Sequence, residues 1–199
     1  MTLETTFEHS AELIEAALEE FAEKGYEQAS INTILKAAGM SKGQFYYHFE
    51  NKEALYMAMI EILINRKREF MASVMQPQDF QGDIFSIFEA QIRYGMAFAH
   101  EYPIINRFGA RFAQEQGSPI YEKALTKHNF EDNDAINQLI EAGIANGDFR
   151  EDLPQPFIRK AVGYMFTHAA DLADLSDVEN IEANMGYLIA FMRAGLGKR

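Results

Sequence analysis

With 199 residues, 48% hydrophobic and 24% charged, five prolines and no cysteine, the chain has a folded globular composition that excludes disulfide frameworks, thiolate metal sites and cysteine nucleophiles. Lack of cysteine fits a reducing cytoplasm, the expected location; Met1 to Glu8 has no basic-then-apolar leader pattern, and no stretch nears the roughly 18 apolar residues of a membrane span. A net charge of −12 opposes phosphate contact over most of the surface, so any nucleic-acid site must be local.

Leu13, Ile14, Ala17, Leu18 and Phe21 fall on one helical face between Ser10 and Lys24, with glutamates between them and Gly25 as the expected left-handed cap. Ser30 is placed to cap a short helix, Ile31 to Ala38, whose Ile31, Ile34, Leu35 and Ala38 lie on one side. After Gly39, Ser41 caps a third helix, Lys42 to His48, and Phe45 and Phe49 anchor it. Two short helices joined by Ala38-Gly39-Met40-Ser41 have the spacing of a helix-turn-helix. Asn51 then opens a long helix from Lys52 to about Met75. Pro and Gly punctuation separates further helical patterns near Phe80–Glu101, Ile104–Glu115, Ile120–Ala145, Gln155–Leu175 and Asp177–Leu196. No strand-like alternation or internal repeat is evident, and the chain reads as all-α. The expected division is a three-helix helix-turn-helix domain over 1–51, a connecting helix over 52–75 and a larger ligand-binding and dimerisation domain over 76–199.

From Gln28 to Lys52 the local charge is +2, with Lys36, Lys42 and Lys52 against Glu50 alone. A recognition helix presents a few side chains to base edges while neighbours grip phosphates. In Ser41-Lys42-Gly43-Gln44-Phe45-Tyr46-Tyr47-His48, Gln44 is suited to adenine N6 and N7, and Lys42 to guanine or phosphate. Gly43 clears a side chain from the groove; Tyr46, Tyr47 and His48 offer polar groups and rings; Lys52 sits at the phosphate-attracting start of the next helix. Ser30, Asn32 and Thr33 would face the adjacent backbone, and Lys36 belongs to the basic island with Lys42 and Lys52 that is expected to contact DNA. The competing reading of this stretch is a helical protein-interaction module.

The segment Ala11–Leu55, with Ala16-Ala17-Leu18, Phe21, Lys24-Gly25-Tyr26, Ile34, Ala37-Ala38-Gly39, Ser41-Lys42-Gly43, Tyr46-Tyr47-His48-Phe49 and Asn51-Lys52-Glu53-Ala54-Leu55, resembles the DNA-binding domain of TetR-family repressors. The resemblance covers about a quarter of the chain. It implies a homodimeric transcriptional regulator that binds a palindromic double-stranded operator and is released by a small-molecule effector. It also implies that the last two long helices form a four-helix bundle with the partner. One departure is the lack of any basic residue before Lys24, where family members commonly carry an Arg or Lys for phosphate; Thr5, Thr6 and His9 are the polar substitutes. About three phosphates neutralised per subunit, six per dimer, predict a log–log salt slope near −5.

Aromatics crowd residues 80–175, and polar groups among them suggest an apolar pocket with a few orienting contacts. The candidate lining is Arg66, Phe70, Phe88, Gln91, Tyr94, Phe98, Phe108, Arg111, Phe112, His128, Tyr164, His168 and Asp171. Apolar stripes at Phe157, Ala161, Met165 and Ala169, and at Ile181, Met185, Leu188 and Met192, are the candidate dimer interface; closure of the subunit's own core is the alternative. His168 and Asp171 lack a third ligand fixed by spacing, so neither metal nor cofactor is expected. With no nucleophile elbow, phosphate loop or His-Glu-x-x-His helix, a small helical enzyme is the disfavoured alternative.

Overall fold

The computed structural model describes residues 10–128, 135–172 and 180–198. Its helices are α1 (Ser10–Gln28), α2 (Ile31–Ala37), α3 (Lys42–His48), α4 (Lys52–Val74), α5 (Ile84–Glu101), α6 (Pro103–Ala113), α7 (Pro119–Lys127), α8 (Ala135–Asn146), α9 (Gln155–Thr167), α10 (Ala169–Leu172) and α11 (Ile181–Leu196). A 3-10 turn occupies Pro77–Phe80, and an isolated antiparallel bridge joins Phe149 to Gly197. The fold is all-α, and among the described residues no helix is long and apolar enough to cross a membrane.

Three elements differ from the periodicity reading. Gly25 does take a left-handed φ of 72°, but the chain resumes helical hydrogen bonding at once, so α1 carries a kink there and reaches Gln28. The pattern from Ile120 to Ala145 is two helices, because at His128 the backbone N–H turns to the carbonyls of Ala124 and Thr126 and α7 stops. The pattern from Gln155 breaks at His168, separating α9 from α10. Apolar spacing continues through the second and third breaks, and spacing alone does not register a change of axis; at Gly25 the glycine marks a kink and not the helix end.

The chain forms two compact units, Met1–Ser73 with Phe98–Glu131, and Val74–Ala97 with Asp132–Arg199. In the first, α1 packs against α2 and α6. Leu13, Ala17, Phe21, Ile34, Phe45, Leu55, Tyr56, Met59 and Phe108 are buried there. Tyr56 is the hub, its ring edge-on to Phe21 at 4.8 Å and to Phe108 at 5.5 Å. Full burial of each such side chain is worth about 1.5–3 kcal/mol, which outweighs the weak intrinsic stability of helices as short as α2 and α3. The second unit closes around Phe85, Phe88, Ile140, Phe149, Ile158, Val162, Ile189 and Met192.

Candidate nucleic-acid interface

The α2–α3 pair is defined by its caps. Ser30 Oγ accepts the Thr33 N–H at 3.4 Å and opens α2. Gly39, at φ 65°, reverses the chain after α2, and the Met40 N–H returns to the Leu35 carbonyl at 3.0 Å. A left-handed residue is needed there, and glycine carries no steric cost for it. Ser41 and Gln44 then form a reciprocal capping box: Ser41 Oγ accepts the Gln44 N–H at 3.2 Å, and Gln44 Oε1 accepts the Ser41 N–H at 2.9 Å.

Phe45 and Phe49 are buried, their rings stacked 5.6 Å apart, and they fix which side of α3 faces outward. That side is the expected reading surface. Ser41, Lys42, Gly43, Gln44, Tyr46, Tyr47 and His48 are all exposed, as are Asn32, Thr33 and Lys36 on α2; Ser30 is half-buried at its cap. Tyr46 is 58% and Tyr47 85% exposed, far beyond what packing would leave to rings of that size. Tyr47 meets the His48 ring edge-on at 5.0 Å. The expected substitutes Thr5, Thr6 and His9 lie outside the described residues.

Two of the expected contact residues already have partners within the chain. Lys52, expected on a phosphate, donates its ammonium to the carbonyls of Glu27 and Ala29, each at 3.1 Å, and lies 4.7 Å from the centre of the Tyr26 ring. It fastens the start of α4 to the end of α1, where helix carbonyls have no intrahelical partner. Gln44, expected to pair bidentately with adenine, has its amide oxygen held by the cap.

Behind the reading surface, polar groups tie the head to α6. At the Gly25 kink the Tyr26 N–H donates to Glu115 Oε1 at 2.6 Å, and the Tyr56 hydroxyl donates to Glu115 Oε2. Burial, and secondarily the Glu115 carboxylate, push the Tyr56 phenol well above its ordinary pKa, so it remains a donor. Arg111 Nη2 donates to the Lys24 carbonyl at 3.2 Å. Glu20, a buried carboxylate, accepts from the Ser30 N–H at 2.9 Å and from Lys24 at 3.1 Å, joining α1 to α2. Sequence reading missed Glu115 and this role of Arg111, because their partners lie on other elements and leave no local pattern; it missed Glu20 although Lys24 stands four residues on in the same helix, because the bond to Ser30 that buries the carboxylate leaves that helix.

The thirteen candidate pocket residues divide between the two units. In the first, Phe70 meets Phe98 edge-on at 5.5 Å, and Arg66 lies 5.5 Å from the ring of Tyr102, which itself contacts both phenylalanines. Phe108 and Arg111 belong to the α1–α4–α6 joint, while Phe112 stacks on Tyr121 at 4.8 Å. His128 is half-buried on the α7 side of Met57 and Glu61, and burial lowers its pKa first, with Lys127 adding to the effect. In the second unit, Phe88 is core against Phe166 at 4.4 Å. Tyr94 donates to Asp79 at 2.5 Å, Gln91 is half-buried, and Tyr164 stacks on His168 at 3.9 Å. The Asp171 side chain lies outside the described set. A surface pocket of about 300 Å³ is lined by Glu50, Asn51, Glu53, Ala54, Met57, Lys123 and Lys127, none of them in the expected lining.

The candidate interface residues also separate. Ala169, Leu188 and Met192 are buried in their own subunit's core, and Ala161, Met165 and Met185 pack against that core half-buried. All six thus make contacts within their own subunit. Phe157 remains 53% exposed; the Ile181 side chain is outside the described set. The outward apolar face missed by the sequence reading is Tyr164 on α9, 60% exposed, with Tyr187 and Phe191 on α11, 72% and 70% exposed.

Residues 13–59 match the family model for bacterial regulatory proteins of the tetR family, the stretch that builds α1–α3 and the start of α4. The HTH-type transcriptional repressor KstR2 of Mycobacterium tuberculosis is 30% identical over 154 residues, 74% of this chain and 74% of that protein. The chain belongs to the tetR family. It is therefore a DNA-binding regulator of transcription and not an enzyme. Among solved TetR structures, a regulator from Chloroflexus aurantiacus superposes with a TM-score of 0.73 at 23% identity, covering 96% of this chain and 94% of that one. FadR of Bacillus subtilis in complex with stearoyl-CoA gives 0.64 at 17% identity, covering 93% and 98%. Both share the fold: a helix-turn-helix head followed by a helical domain.

Proposed function

We propose that this TetR-family chain is a homodimeric cytoplasmic repressor that binds a palindromic operator through α2 and α3 of each protomer and is released when a small effector binds. The observation that carries the reading is the reciprocally capped α3, whose exposed face gathers Lys42, Gln44, Tyr46 and Tyr47 over a buried Phe45–Phe49 anchor. Residues 1–51 read DNA, 52–75 connect, and 76–199 sense and dimerise. Repression is favoured by KstR2, a repressor by name, and effector sensing by FadR, whose structure holds stearoyl-CoA.

Dimerisation is assigned to α9 and α11 through Phe157, Tyr164, Tyr187 and Phe191. Four large apolar side chains more than half exposed on two helices of one unit are unusual on a monomer's surface. On α11, Ala183, Gly186, Ala190 and Ala194 are exposed beside the aromatics and allow a partner helix close approach. A two-fold dimer sets its recognition helices about 34 Å apart or a multiple of it, one duplex turn, hence the palindrome. For release, the effector must bind the DNA-incompetent arrangement more tightly than the competent one. The effector contact assigned to α4 is the Arg66–Phe70 end, against Phe98 and Tyr102.

Selection of genomic fragments by the purified protein, followed by footprinting, is expected to return a two-fold symmetric sequence protected on both half-sites. A flat, sequence-independent profile overturns the proposal.

A further inference from the structure

The capping box fixes what Gln44 has left to offer a base. A side-chain amide carries an acceptor oxygen and a two-hydrogen donor nitrogen. Here the oxygen accepts the Ser41 N–H at 2.9 Å, and this settles the amide's orientation, because the flipped form would set two donors face to face. The reciprocal bond from the Gln44 N–H to Ser41 Oγ at 3.2 Å holds the same turn closed. Bidentate pairing with adenine requires oxygen and NH₂ side by side on one base edge. The cap commits the oxygen to the Ser41 N–H at the start of α3, so in this exposed side chain the NH₂ is the part of the amide that the capping box does not use.

We propose that Gln44 reads its operator position as a hydrogen-bond donor only, and that the base it selects is guanine. Guanine places two acceptors, N7 and O6, together on the major-groove edge, one for each amide hydrogen; thymine offers a single acceptor beside a methyl group. Adenine sets a donor beside its only acceptor, and cytosine offers only a donor. Gln44 is thus a specificity-determining residue whose chemistry is set by Ser41, three positions earlier. The inference rests on the operator-binding reading above.

The test is selection from a random duplex library with the full-length protein and with Gln44→Glu. Glutamate at this position also closes a capping box, so α3 keeps its cap while the outward group changes from a donor to an acceptor. The expected result is one symmetry-related pair of positions that is G·C in the wild-type consensus and inverts to C·G in the variant, each with about tenfold discrimination, the rest of the consensus holding. Gln44→Ala, as a second variant, is expected to lose preference at that pair alone. An A·T or T·A pair at the responsive position overturns the inference, and so does a palindrome in which no position responds to either variant; both leave operator binding intact. A flat wild-type profile overturns the inference and operator binding together.

Discussion

Lys52 illustrates how a charge in a DNA-binding segment can be committed elsewhere. Its ammonium satisfies two carbonyls at the end of α1 and lies over Tyr26, so its loss should be felt in folding before binding. Lys52→Ala is expected to cost about 1.5–3 kcal/mol, the usual worth of charged hydrogen bonds, seen as a lower denaturation midpoint, with the salt slope of DNA binding unchanged. A reduced slope at unchanged stability would return Lys52 to the phosphate. His128 gives a pH signature. Burial depresses its folded pKa below the unfolded value, so its contribution is fully present above the unfolded pKa of about 6.5 and is lost as pH falls through the folded pKa. Denaturation midpoints of the wild type should fall between pH 7.5 and 5.5 by more than those of His128→Asn; equal falls would remove His128 as the source.

At the scale of elements, the joint between α1 and α6 is closely constrained. Gly25 has a φ of 72°, and a Cβ there would lie 2.6 Å from Glu115 Oε1 and 2.8 Å from Arg111 Nε. Gly25→Ala therefore combines backbone strain with a clash at the latch. It is expected to destabilise by about 1–3 kcal/mol in chemical denaturation, where an ordinary surface Gly→Ala change is neutral or stabilising. Glu115→Gln should lower stability by about 1–2 kcal/mol, because its NH₂ would face one of the two donors now held by the carboxylate. Tyr56→Phe together with Glu115→Gln should then cost less than the sum of the single changes, as expected for groups sharing a bond.

Much of this head was legible in the sequence, because its signals are local. Ser30, Ser41 and Asn51 were readable as caps from residue type and spacing, and each accepts the backbone N–H three residues on. The Ser41-x-x-Gln44 pattern is itself a capping-box signature, and it engages the same Gln44 oxygen that bidentate pairing with adenine would use. The α1–α6 latch was not legible, since Glu115 meets Tyr26 across 89 positions. On α11 the helical period of the sequence reading holds, and two apolar pairs one residue apart divide between core and surface. Leu188 and Met192 form the inward stripe, and the neighbouring pair Tyr187 and Phe191, four residues apart, points outward. That second apolar pair on one helix was the available signal.

For the whole molecule, acidity and DNA binding are reconciled by area. With Lys52 bound internally, Lys36 and Lys42 are the exposed lysines of the reading head. Four phosphates neutralised per dimer lower the expected salt slope to about −4, against the −5 predicted when Lys52 was counted. A slope steeper than about −9 would require basic contacts outside α2 and α3. Replacing Phe191 with glutamate, alone or with Tyr187→Glu, should yield a folded monomer by sedimentation, with operator affinity reduced at least tenfold through loss of the second head. A variant that remains dimeric would move the interface away from α11.

Sequence-specific regulation stands or falls on operator discrimination. At one fixed salt concentration, the dissociation constant of the full-length protein for its selected palindrome should be at least about a thousandfold lower than for a scrambled duplex of equal length and composition. A ratio near one would contradict sequence-specific regulation by this chain.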